Sequence, residues 1–369
     1  MNRLFRWDQT GLFLLALAAG ILPFAVPEVC AAALREGLTL CSGPLLLSLF
    51  PFLVVSRLLI QCPESDLLAL PFRLAAWGIG IRTPCAARVL CIGFLGGFAP
   101  AASAAAQAVR TGQLTAEEAD ALLPACICSG PSFVVLTVGQ SLLGSAELGV
   151  LLFAAQITAN YLTAALLNRF AGVHSVKPGS AAPASPAPPR LDEILADAAI
   201  TYCKLCGFIL FFRMLAAGAG ALLPAGAGTL CAILLEVCSG CDLASRTGWW
   251  GSLLCCAALS VQGLSVLLQV RTICPPEMTL RPLYRARMLH LPLSLALFYL
   301  LLPGGEADVF STLPARVLLM RRVPPDCALL VFAVCCMAAC TLRSGIRQVE
   351  QKQMARNAGG CCINSKTLL

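Results

Sequence analysis

The stretch Cys126-Ile127-Cys128-Ser129-Gly130-Pro131-Ser132-Phe133-Val134-Val135 decides how this chain is read. It sits in the middle of Ala121–Ala146, a run without a single charged residue. As one helix rising 1.5 Å per residue, such a run would cross the ~30 Å of hydrocarbon in a bilayer. Ser129-Gly130-Pro131 interrupts it. An interrupted helix in hydrocarbon leaves amides and carbonyls unpaired, at several kcal/mol for each group. The break is therefore expected inside protein or beside a wet cavity. Pro131 suits the first position of the helix that follows. That helix start is expected to present free N–H groups, from Phe133 and Val134, and a positive dipole end to a carboxylate or phosphate. Ser129 and Ser132 would add hydroxyl contacts.

The rest of the composition agrees with a membrane setting. The 369 residues are 58% hydrophobic and only 12% charged, which leaves too little polar material to cover a soluble protein of this size. An all-α polytopic membrane protein is expected, with about eight to ten transmembrane segments. The charge-free runs are Gly11–Pro27, Leu38–Ser56, Val89–Val109, Ala121–Ala146, Leu148–Asn168, Leu205–Phe212 extended by Met214–Leu235, Thr247–Val270, Met288–Gly305 and Cys327–Leu342. Arg3 and Arg6 precede the first, which reads as a retained signal-anchor helix. The net charge of +7 follows from basic residues between the spans, a positive-inside pattern rather than a nucleic-acid surface. Arg271, Arg281, Arg285 and Arg287 form one expected cytoplasmic cluster, and Arg343, Arg347, Lys352 and Arg356 another.

The 21 cysteines lie mostly in apolar runs, where thiols pack as small hydrophobes. Cys203 with Cys206, and Cys238 with Cys241, have zinc-like spacing but no His beside them, so no metal site is expected. With two histidines and no Ser/His/Asp set or phosphate loop, neither catalysis nor a cofactor is expected.

Pro178–Pro189, PGSAAPASPAPP, divides the chain as a linker. The expected organisation is a signal-anchor helix over 1–36, a first membrane repeat over 37–170, a linker over 171–195, a second repeat over 196–305, a final span over 306–343 and a polar tail over 344–369. The halves share an order. PFLVVSRLL carries Arg57 and GFILFFRML carries Arg213, each five residues after a phenylalanine. Next comes a small-residue break, Gly93–Pro100 in the first half and Leu235–Asp242 in the second. A later break pairs Gly130-Pro131-Ser132 with Gly263-Leu264-Ser265. Paired interrupted helices in two repeats point to a secondary transporter with its site where the breaks meet. Thr115 and Glu118 form a capping-box pattern that starts a helix at Ala116, and Gly112 ends the helix before it.

Gly96, Gly97, Ser129, Gly130, Ser132, Phe133, Glu236, Ser239, Gln262, Gly263, Ser265 and Gln269 are accordingly the expected substrate-binding residues. Glu236, flanked by apolar residues, is expected to pair with Arg213 or Lys204, or to bind a proton or sodium ion. Gln262 and Gln269 either line the cavity or bond between helices.

At these residues the chain resembles the YlbJ-type sporulation integral membrane proteins, which contain the nucleoside-recognition or Gate domain. EGLTLCSGPLLLSLFPFLVVSRLL, GFLGGFAPAASAAAQAVRTGQLTAEEADALL and CICSGPSFVVLTVGQSLLGSAELGVLL carry the likeness in the first half, LLEVCSG and LSVQGLSVLLQV in the second. The family's asparagines before Ser-Gly-Pro are replaced by Ile127 and Cys128, and its second-half His by Leu267. The resemblance implies inverted repeats and transport of dipicolinate, a small aromatic dicarboxylate, across a cell membrane around the forespore. The implied partners are that small anionic solute, membrane lipid and a coupling cation, H+ or Na+, with no nucleic acid; a homo-oligomer stays open. A non-transporting sporulation scaffold is the alternative, and a nucleoside transporter a third reading.

Overall fold

The computed structural model describes residues 9–62, 65–171 and 191–302. The expected final span, the C-terminal tail, Arg3, Arg6 and most of the linker lie outside the described residues. Among the described residues there is no strand; the chain is an all-α polytopic membrane protein built as two repeats with broken helices.

The first repeat and its leader comprise α1 (Gln9–Ala25), α2 (Pro27–Ser42), α3 (Pro44–Gln61), α4 (Ser65–Leu68), α5 (Leu70–Gly78), α6 (Pro84–Gly96), α7 (Phe98–Arg110), α8 (Ala116–Cys126), a π-helix (Ser132–Leu142) and α9 (Ala146–Ala171). The second comprises α10 (Leu191–Leu222), α11 (Ala225–Leu235), α12 (Val237–Ser245), a 3-10 turn (Gly248–Trp250), α13 (Gly251–Val261), α14 (Gly263–Ile273) and α15 (Arg281–Leu301). Among the described residues, three segments are long and apolar enough to cross a membrane: α9, α10 and Gly248–Ile273. The pair α1–α2 adds a fourth, bent by 108°. Pro27 opens α2, and its missing N–H and fixed φ stop α1 from continuing. The expected 1–36 anchor is thus two helices rather than one.

The other apolar runs are broken or doubled back. Val89–Val109 is not one span: α6 and α7 form an antiparallel hairpin that turns at Gly97. Met214–Leu235 divides at Pro224, where α10 has ended and α11 begins. α11 and α12 form a second hairpin, so close that a Cβ on Gly240 would stand 2.8 Å from the Ile233 Cα.

The two hairpins enter from opposite ends. Thr83 bonds Glu118 at 2.6 Å, and Asn168 donates to the carbonyls of Ile79 at 2.9 Å and Ala121 at 3.1 Å. Asp120 accepts from Thr279 N, Thr279 Oγ1 and Leu280 N at 2.7–3.1 Å. These bonds gather the starts of α6, α8 and α15 with the end of α9, an end that carries Arg82, Arg110, Arg169, Arg271, Arg281 and Arg285. The α6–α7 hairpin enters from this basic end. α10 leaves it, and its 32 residues carry the chain across, so α11–α12 enters from the other side. That far side holds Trp249 and Trp250, 80% and 60% exposed, as residues of an interfacial belt would be. Each hairpin is followed by a broken span, α8 with the π-helix and then α13 with α14. The order of hairpin and broken span is thus the same in both halves, with the hairpins entering from opposite ends.

The capping box at the start of α8 is formed: Thr115 Oγ1 accepts from Glu118 N at 3.1 Å, and the Glu118 carboxylate accepts from Thr115 N at 3.1 Å. Arg57 on α3 pairs with Asp197 on α10 at 2.5 Å, while Arg213 on α10 pairs with Glu36 on α2 at 2.7 Å. Arg57 thus takes its carboxylate from the second half of the chain, and Arg213 takes its own from α2, at the edge of the first.

Candidate functional site

Four backbone breaks meet in two pairs. In the first repeat Gly97 has φ +81°, and a Cβ there would lie 2.7 Å from Gly130 N and 3.3 Å from the Cys128 carbonyl oxygen. The hairpin tip at Gly96-Gly97 therefore rests on the Ser129-Gly130 break, and only glycine gives both the left-handed turn and the approach. In the second repeat Gly263 has φ +69°, and a Cβ there would lie 2.9 Å from Glu236 N and from the Leu235 carbonyl. Gln262, itself left-handed at φ 62°, ends α13 and sends its side-chain Nε2 to the Ile127 carbonyl at 3.3 Å, joining the two pairs. The breaks expected to meet do meet, and they do so within each repeat and across the repeats.

The group at their junction is one the sequence reading placed elsewhere. Arg287, expected in a cytoplasmic cluster, is on α15 and 7% exposed. Its guanidinium donates to the Ile127 carbonyl at 2.5 Å, the Ser260 carbonyl at 3.3 Å and Asn160 Oδ1 at 3.4 Å. It thus bonds carbonyls freed by both broken spans. Among the described residues no carboxylate lies within ion-pair distance of it. A buried cation costs several kcal/mol in desolvation, which carbonyl dipoles offset only in part. Around it Arg287 Nε, Gln262 Oε1, Asn160 Nδ2, Thr163 Oγ1 and His290 Nδ1 are buried without a partner among the described residues. Gln156 extends this polar seam by donating to Ser260 Oγ at 2.9 Å, and His290 Nε2 lies 3.2 Å from the Gln156 carbonyl oxygen.

The charge-free run Met288–Gly305 leaves Arg287 just outside an expected span, whereas α15 begins seven residues before Met288, at Arg281. The usable signal was periodicity. Arg287, His290 and Ser294 share one face of α15, and Gln156, Asn160 and Thr163 one face of α9, each spaced by three or four residues.

Several expected roles are corrected. Phe133 N and Val134 N are not free: both donate to the Gly130 carbonyl, at 3.1 and 3.0 Å. The helix there is a π-helix, and it packs so closely on α9 that a Cβ on Gly139 would stand 2.5 Å from the Gly149 Cα. Glu236 pairs with neither Arg213 nor Lys204. Its two carboxylate oxygens accept from Cys238 N at 2.9 Å and Ser239 N at 2.7 Å, capping α12. Ser239 stands beside that cap rather than facing a solute through its amide. Ser129 is buried at the first break, while Ser132 and Phe133 are half-buried at the start of the π-helix. Ser265 is fully buried and accepts from Gln269 Nε2 at 2.9 Å. Gln269 is 2% exposed and faces a cavity towards the basic end.

Comparison with family models, with curated proteins and with solved structures found no match.

Proposed function

We propose that this chain is a membrane carrier for a small anionic metabolite. By its resemblance to the YlbJ-type proteins, we propose that the solute is dipicolinate, moved across a membrane around the forespore. One observation carries the anionic preference: Arg287, a buried guanidinium with no carboxylate among the described residues, bonded to carbonyls at the junction of the broken spans. A carboxylate entering there would exchange neutral dipoles for an opposite charge, and charge-assisted bonds are roughly twice as strong as neutral ones. The unpartnered Nδ2 of Asn160 beside it supplies a neutral donor that orients the solute. Two hairpins of opposite entry, each resting on a broken span, supply the elements that open alternately to the two sides. Glu236 acts in this reading through α12, by fixing the start of the second hairpin's returning helix.

The test is uptake by liposomes holding the purified protein. Dipicolinate is expected to enter and uridine to stay out. Arg287→Gln is expected to abolish uptake, and Arg287→Lys, which keeps the charge, to restore part of it. A folded wild-type protein that takes up neither solute would overturn the carrier reading. It would favour the scaffold, a reading supported by how closely Gly97 sits on Gly130 and Gly263 on Glu236.

A further inference from the structure

A cavity of about 150 Å³ lies at the basic end, between α3, α7, α10 and α14. At ~30 Å³ per water it has room for roughly five, the scale of a small metabolite. Its polar wall includes Arg57, Arg110, Lys204, Asp197, Ser103 and Gln269, and Phe208 contributes to an apolar side. Three cations thus face one carboxylate. Arg57 is held in place: Nε donates to Ser103 Oγ at 3.3 Å, Nη1 to Asp197 at 2.5 Å and Nη2 to Thr201 Oγ1 at 3.3 Å. Arg110 and Lys204 are exposed and make no ion pair among the described residues. The Arg57 side chain is 10% exposed, but that of Asp197 is 61% exposed, so the partner of the fixed cation is itself free to swing away.

From this geometry we infer that the cavity is a capture site for a small dianion, dicarboxylate or phosphate, in which Asp197 is the resident counter-ion that the solute displaces. Arg57 offers a guanidinium already ordered by α7 and α10, and Arg110 and Lys204 close on the second charge. Gln269 marks the inner wall. Its Oε1 is buried without a partner, and its Nε2 is spent on Ser265 Oγ. A serine hydroxyl can donate as well as accept, so turning the amide over keeps the Ser265 bond and points Nε2 at the anion. Ser265 lies in the first turn of α14, two residues after the Gly263 break, so Gln269 ties the cavity wall to that break. The inference names where the anion of the proposed carrier is first held, yet it concerns binding alone.

The test is calorimetric titration of the detergent-purified full chain with pyridine-2,6-dicarboxylate, inorganic phosphate and, as a neutral control, uridine. Lys204→Gln and Arg110→Gln remove exposed charges without breaking a recorded bond. Each is expected to weaken dianion binding about three- to tenfold at low salt, as expected for charge pairs in partly exposed surroundings. Asp197→Asn is expected to tighten it by a similar factor. Structural damage does not produce that gain. The relative affinities of the two dianions identify which anionic group is preferred. No dianion binding to the folded protein, binding indifferent to all three variants, or weaker binding in Asp197→Asn would overturn the inference. Dianion binding with this pattern but no uptake in liposomes would uphold the capture site and sink the carrier.

Discussion

Gly97 and Gly263 carry two constraints each, a positive φ and backbone within van der Waals distance of an added methyl group. A side chain in the left-handed region costs about 1–2 kcal/mol, and overpacking against backbone adds about 1–3. Gly97→Ala and Gly263→Ala are therefore expected to lose about 2–5 kcal/mol in equilibrium unfolding in detergent. Gly112, at φ +68° with nothing within 4 Å of a built Cβ, is the control, and Gly112→Ala should lose only the first part, about 1–2 kcal/mol. Equal losses at all three positions would show that the close contacts of the breaks carry no weight. Gln262 is left-handed without being glycine, and its side chain accounts for its retention by reaching the Ile127 carbonyl. Arg287 belongs to the same scale, because a single guanidinium bonds carbonyls from both broken spans.

Among the elements, the starts of α8 and α12 are capped by local side chains, whereas the loop before α15 is held by a distant one. The Thr115–Glu118 box sets the start of α8, so Thr115→Ala is expected to cost about 1 kcal/mol in thermal unfolding. The loop before α15 depends instead on Asp120, 6% exposed, which accepts three bonds from Thr279 and Leu280. Leu280 is held left-handed at φ 57°. Asp120→Ala would leave those amides without their acceptor and is expected to cost about 2–4 kcal/mol, several times the loss at Thr115. Hydrogen exchange should then show the start of α15 opening before its middle. The capping box was legible because both partners lie three residues apart. The Asp120 clamp was not, because its partners are about 160 residues away.

For the whole molecule the defining property is the opposite entry of the two hairpins. An epitope inserted between Gly112 and Gln113 should be exposed on the basic side, and one between Thr247 and Gly248 on the other. Antibody access in oriented vesicles reads this directly, and both tags on one side would refute the inverted arrangement. The pairs Arg57–Asp197 and Arg213–Glu36 join the two halves of the chain, but their carboxylates are 61% and 67% exposed. A double-mutant cycle on either pair is expected to give no more than about 1 kcal/mol of coupling. What holds the repeats together is the apolar packing around them and the Arg287 junction.

The sequence by itself determined the membrane class, the small-residue and Gly-Pro interruptions and the repeated order of arginine, break and break, but not the helix ends at Pro27 and Pro224. Those features are local: charge-free length, Gly-Pro and small-residue interruptions and capping spacing act over a few residues, where propensity and hydropathy operate. Only the tertiary structure decided that Val89–Val109 is a hairpin rather than a span, that Glu236 is occupied by its own helix, and that Arg287 lies at the junction. The physical reason is common to all three. A buried polar group is defined by the partners that satisfy it, and for Arg287 those partners, Ile127, Asn160 and Ser260, come from three other segments of the chain.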